Sequence, residues 1–183
     1  MISKAVYDAA KKRALDMLAE ARIVLTPAER ECLEIADFGL NDLEHTGLLL
    51  ITYINTERCC AKELIMFPGQ TCPQHLHPPV NGQPGKEETF RCRWGEVYLY
   101  VEGGPTPNRR GAPPTGDEAH YSVFHEIVLQ PGEQHTIYPE TWHWFQAGPQ
   151  GCIVSEFSTR STDENDLFVD PRIVRAPRVA DES

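Results

Sequence analysis

The sequence predicts a mainly β protein: a small antiparallel barrel or double-sheet jelly roll with two N-terminal helices packed outside it. Apolar residues recur every three or four positions from Ile2 to Ala21, and from Gly47 this gives way to short apolar or alternating runs. The 13 glycines and 15 prolines lie almost entirely after Gly39, so turn formers punctuate the β-rich part and spare the helical start. A chain of 183 residues buries one core adequately and falls short of two average domains.

Ile2, Val6, Ala9, Ala10, Ala14, Met17, Leu18 and Ala21 line one face of the first helix, with charges opposite. Thr26 as N-cap, Pro27 at the first helical position and Glu29 three residues after the cap open a second helix, which runs through Cys32, Leu33 and Ile35 to Gly39. These helices form an extension over 1–40. Strands are expected at 48–54, 59–67, 88–94, 97–101, 123–129, 143–147 and 152–157, so the barrel spans 47–158. Residues 55–58 read as a hairpin turn. Loops fall at 78–85 and at the Pro/Gly-rich 103–117, and 159–183 form a C-terminal segment of the same domain. Many short strands at this spacing argue for a closed antiparallel architecture.

Acidic residues outnumber basic ones 27 to 17, the net charge is −10, and the longest basic run is Lys11-Lys12-Arg13, which argues against nucleic acid as a partner. Charges interrupt the first eighteen residues, unlike the apolar core of a signal peptide, and no stretch has the apolar length of a bilayer span. A soluble, cytoplasmic protein is expected. Six cysteines form no C-x-x-C pair, and their scatter fits reduced, buried thiols.

His75 and His77 are two apart, so a strand presents both imidazoles on one face, where they can share a metal ion. Gly69, His75-x-His77, a glutamate and Gly95 together resemble the first motif of the cupin superfamily, and the spacing to Gly95 selects Glu88 over Glu87. The ten residues between His77 and Glu88 exceed the superfamily's usual loop, and such an insertion can bulge without moving the strand ends. The second motif has its outline in the run from Pro131 to His143, where both His135 and His143 are candidates; His143 is preferred because it follows the Pro139 turn and opens a strand. His45, His120 and His125 lack a partner at ligand spacing. Three imidazoles and one carboxylate suit Mn, Fe, Co, Ni or Zn better than Mg or Ca. Lys86 and Phe90 share the parity of Glu88 and would reach the same cavity.

The His75-Leu-His77 run, the inserted loop, Lys86-Glu-Glu88, the turn from Pro139 to His143 and the closing segment from Ser155 to Phe168 resemble the D-lyxose isomerase family, over most of the chain. The resemblance implies a Mn2+-dependent isomerase that interconverts free sugars, D-lyxose with D-xylulose and often D-mannose with D-fructose, usually as a homodimer. It carries the metal-ligand role onto His75, His77, Glu88 and His143. Aldose–ketose isomerisation moves a proton between C2 and C1 through an enediol, so it needs an electrophile at the oxygens and a base near the carbons. The resemblance implies that Glu156, in the closing segment, is the base; Lys86 is the expected matching acid or electrostatic stabiliser, and Arg160, which shares the parity of Glu156 if the strand continues, an expected substrate contact. Rival expectations are a cupin dioxygenase of the acireductone type, a cupin phosphoglucose isomerase using Arg109 and Arg110 for phosphate, and a metal-bearing sugar-binding cupin without catalysis.

Overall fold

Ser3 caps the first helix, α1 (Lys4–Glu20), accepting a hydrogen bond from the Val6 backbone N–H at 3.3 Å. The structure, a computed structural model, describes residues 2–175. Ala10, Ala14, Met17 and Leu18 form the buried stripe of α1 and meet Leu49, Ile51, Ile65, Phe67 and Ile153 on the outside of a curled sheet. None of the helices among the described residues is long and apolar enough to cross a membrane.

The second expected helix is corrected. Thr26 and Glu29 do make a reciprocal capping box, but α2 (Pro27–Glu31) lasts little more than one turn. Strand β1 (Glu34–Ala36) follows and pairs with β2 (Leu48–Asn55). The reason is side-chain alternation: Leu33 and Ile35 join the layer under α1 while Ala36 joins the interior, a division that a strand makes and a helix does not. Gly39, expected to end a helix, instead lies in a turn at φ +77° beside Phe38, which is itself left-handed at φ 53°. That conformation is costly for a bulky residue, and here it sets the ring in the interior cavity against Phe168.

The remaining strands are β3 (Cys60–Met66), β4 (Thr71–Leu76), β5 (Glu88–Val101), β6 (His125–Leu129), β7 (Gln134–Ile137), β8 (His143–Ser158) and β9 (Leu167–Phe168). The order is β1-β2-β3-β8-β4-β9, with β5 beside β8 and both β6 and β7 beside β5; these strand pairs are antiparallel. Leu48, Leu50, Leu64, Met66, Cys92 and Val154 fill the interior, while the intervening Leu49, Ile51, Ile65 and Ile153 lie under α1. Burial on both faces is why these strands read as continuous apolar runs. On another outer face Tyr100 stacks on Trp144 at 3.9 Å between ring centroids, and the 103–117 loop is pinned there by the Gly111 N–H donating to Tyr100 at 2.8 Å. All six cysteines are free; four are buried, but Cys32 and Cys59 are exposed, against expectation.

One crease positions the site. The two expected runs 88–94 and 97–101 are a single strand of 14 residues, which laid straight would span about 45 Å. It folds over where Gly95 pairs with Cys152 and Val97 with Ala147, leaving 148–151 to protrude from β8. Gly95 has φ +68°, and a Cβ there would come within 2.1 Å of the Gly151 carbonyl oxygen, so only glycine fits. Because of this crease the two ends of β5 meet: the His143 ring, paired in register with Val101, reaches the carboxylate of Glu88.

Candidate active site

His75 near the end of β4 and His143 at the start of β8 are direct cross-strand partners, and their rings stand 4.2 Å apart between centroids. His77 follows two residues on. One ring nitrogen from each of the three lies within 4.8 Å of the other two, and all three residues are buried. Each Nδ1 faces an acceptor: His75 the Pro73 carbonyl at 2.8 Å, His143 the Thr141 carbonyl at 2.9 Å, and His77 the Asp166 carboxylate at 2.6 Å. Acceptors at Nδ1 fix the ring orientations.

Glu88 Oε1 lies 3.2 Å from Nε2 of both His77 and His143. His143 Nε2 is nevertheless a buried atom without a hydrogen bond. A buried nitrogen lone pair facing two further imidazoles and a carboxylate is an arrangement that a divalent cation satisfies and that neutral packing does not. Burial, with His143 and His77 alongside, holds His75 well below the ordinary histidine range, so it stays neutral. Burial and the Lys86 charge push His77 down as well, but the carboxylates at its two nitrogens outweigh them and raise it to about 9. Glu88 goes the other way: burial would raise it, and Lys86 followed by His77 hold it well below the usual carboxylate range.

Beside these groups lies a charged cluster. Lys86 Nζ is 2.7 Å from Glu88 Oε2, 3.2 Å from Glu156 Oε1 and 3.3 Å from Asp163 Oδ1. Burial opposes its charge, but Glu156, Glu88 and Asp163 hold it well above the ordinary lysine value. Glu156, near the end of β8, is 3% exposed. Its Oε1 also accepts from Ser158 Oγ at 3.2 Å and lies 3.6 Å from Lys62 Nζ. Asp163 ties Lys62 at 2.6 Å and Arg175 at 3.2 Å; burial would raise it, and Lys86, Lys62 and Arg175 hold it well below the carboxylate range. The two clusters line one cavity, with Phe38, Leu48, Leu50, Phe90, Phe145 and Phe168 on its apolar side.

Of the residues singled out from sequence, the structure brings His75, His77, Lys86, Glu88, His143 and Glu156 together. Arg160 is not among them: β8 ends at Ser158, the alternation lapses, and the Arg160 side chain is 53% exposed on Glu57. His135 lies half-buried on β7, outside the histidine cluster. Sequence reasoning passed over Lys62, Asp166 and Arg175 and gave Asp163 no role. Lys62 carried a usable signal, since it alternates in step with the interior residues Leu64 and Met66. The others sit in an irregular segment with no period.

Comparison with known proteins decides the family. The chain is 59% identical over 181 residues to the D-lyxose/D-mannose isomerase of Thermosediminibacter oceani, covering 99% of this chain and all of that one. It is 62% identical over 168 residues to the D-lyxose ketol-isomerase of Cohnella laeviribosi, covering 92% of each. The chain belongs to the D-lyxose isomerase family. The D-lyxose isomerase family model matches residues 113–183, and family membership makes the chain an isomerase. In fold it resembles the L-ribose isomerase of Cellulomonas parahominis, with a TM-score of 0.78 at 19% identity over 93% of this chain and 94% of the other. The L-ribose isomerase of Acinetobacter sp. DL28, solved with L-ribose, gives 0.77 at 18% over 94% of each chain. The curled antiparallel sheet is thus shared beyond the D-lyxose isomerase family.

Proposed function

We propose that the chain is a metal-dependent aldose–ketose isomerase of free sugars, converting D-lyxose to D-xylulose and D-mannose to D-fructose, with His75, His77, Glu88 and His143 as ligands of a divalent metal, Mn2+ foremost. The convergence of three oriented imidazoles and one carboxylate beside the Lys86–Glu156 pair carries the reading. A divalent ion in such a set polarises the carbonyl and hydroxyl oxygens of a bound sugar and stabilises the negative charge that develops on them. The curated relatives named for D-lyxose and D-mannose support the choice of sugars.

Glu156 is the base in this mechanism. Lys86, Ser158 and Lys62 all approach its Oε1, which leaves Oε2 to take the C2 proton of the open-chain aldose and return it to C1 of the enediolate, while the O2 hydroxyl proton passes to O1. The three contacts fix the plane of the carboxylate before substrate arrives. Lys86, ringed by three carboxylates, stays an ammonium and serves as the electrostatic stabiliser at O1 rather than as a proton donor. The apolar side of the cavity keeps water from the enediol. The homodimer belongs to the same reading, and sedimentation equilibrium tests it.

Incubation with a panel of free pentoses and hexoses plus Mn2+, followed by ketose detection, tests the function. Ketose from D-lyxose and D-mannose under strictly anaerobic conditions is expected; no ketose from any free sugar overturns it. Activity without oxygen also separates isomerase from dioxygenase, and failure of sugar phosphates to compete dismisses the phosphoglucose isomerase alternative.

A further inference from the structure

We infer that Asp166 is a positioning residue: it orients His77 for the metal and so links metal binding to docking of the segment that follows β8. The inference rests on the metal-site reading above. The three imidazoles are supported in two different ways. His75 and His143 are held by backbone carbonyls two residues earlier in their own chain, Pro73 and Thr141, so their orientation is local. His77 instead relies on a side chain 89 residues away, at 2.6 Å, and the pair is buried, with 4% and 7% of the side chains exposed. A carboxylate on the far nitrogen fixes the ring and its tautomer and raises its strength as a ligand.

Asp166 reaches His77 only because its segment is docked. Asp163 bonds Lys62 and Lys86, Leu167 and Phe168 pair with Leu76 and His75, and the Val169 N–H donates to the Gln74 carbonyl at 3.1 Å. Linkage is reciprocal: whatever factor the docked Asp166 adds to metal affinity, bound metal adds to the docking of the segment.

The test is Mn2+ titration of the full-length wild type, Asp166→Asn and Asp166→Ala against a chromophoric chelator, with hydrogen exchange of 163–169 measured with and without Mn2+. Asp166→Ala should weaken Mn2+ binding about 10- to 100-fold. Asp166→Asn, which keeps an acceptor but loses the charge, should fall between it and wild type. Saturating Mn2+ should slow exchange across 163–169 in wild type and not in Asp166→Ala. Wild-type affinity in both variants overturns the positioning role, and exchange indifferent to Mn2+ in wild type overturns the coupling. A wild type that binds no Mn2+ removes the metal-site reading along with it. If Asp166→Ala does not fold, Asp166→Asn decides alone, since it preserves shape and changes only charge.

Discussion

The two ends of the barrel interior are built from the same strands and differ by a few residues. On β3 the inward positions run Lys62, Leu64, Met66; on β8, Glu156, Val154, Cys152; on β5, Glu88, Phe90, Cys92. Register aligns them, with Lys62 opposite Glu156 and Leu64 opposite Val154. At one end the row is apolar. At the other it is charged and just as buried: Lys62, Lys86, Glu88 and Glu156 are each at most 5% exposed. Alternation decides which face a residue takes; a supply of partners decides which end can hold a charge. Removing one member of a buried pair costs about 3–5 kcal/mol, so the charged end persists only because Asp163 and Asp166 come from outside the barrel to complete it.

Substitutions at each end should fail differently, and the largest effect belongs to the charged end. His77→Ala should abolish both metal binding and turnover, measured by metal content after gel filtration and by ketose formation. Glu156→Gln should lower kcat by about 10²- to 10⁴-fold while Mn2+ affinity and the circular dichroism spectrum stay unchanged. At the apolar end Met66→Ala should cost about 2–5 kcal/mol in urea unfolding, with the kcat of the folded protein preserved.

Asp163→Asn sharpens the comparison through pH. The folded Asp163 sits below its unfolded value, so its contribution to stability is present above about pH 4 and is lost as pH falls through the folded value. Without metal, the variant should be less stable than wild type at pH 7, and the difference should narrow in acid, as read from urea midpoints. Arg160→Ala, outside both ends, should change stability by less than about 0.5 kcal/mol and leave kcat/KM unaltered, because its partner Glu57 is exposed.

Much of this was legible in the sequence, and the limits have physical causes. Period-two spacing placed His75 with His77, and Lys86 with Glu88 and Phe90, because a strand leaves no other choice of face. The same rule marked Lys62 and was not followed. Helix-start chemistry at Thr26 and Glu29 was real, yet it governs one turn; the unpaired edge of β2 then drew Glu34–Ala36 into the sheet. Asp166 and Arg175 had no local signal. Their role depends on where an irregular segment crosses the barrel mouth, which is a property of the closed fold and not of the neighbouring residues.

The crease at Gly95 also has a bearing on the order of assembly. Strands β5 and β8 are a nested pair, with Val101 and His143 innermost and Glu88 and Ser158 outermost. The inner contact closes the shorter loop and therefore costs less chain entropy, so zippering is expected to begin at the His143 end. Glu88 and Glu156 then come to His143 only after the ribbon has turned over at Gly95, so the groups that would hold an ion and the one that would move a proton all depend on one residue without a side chain.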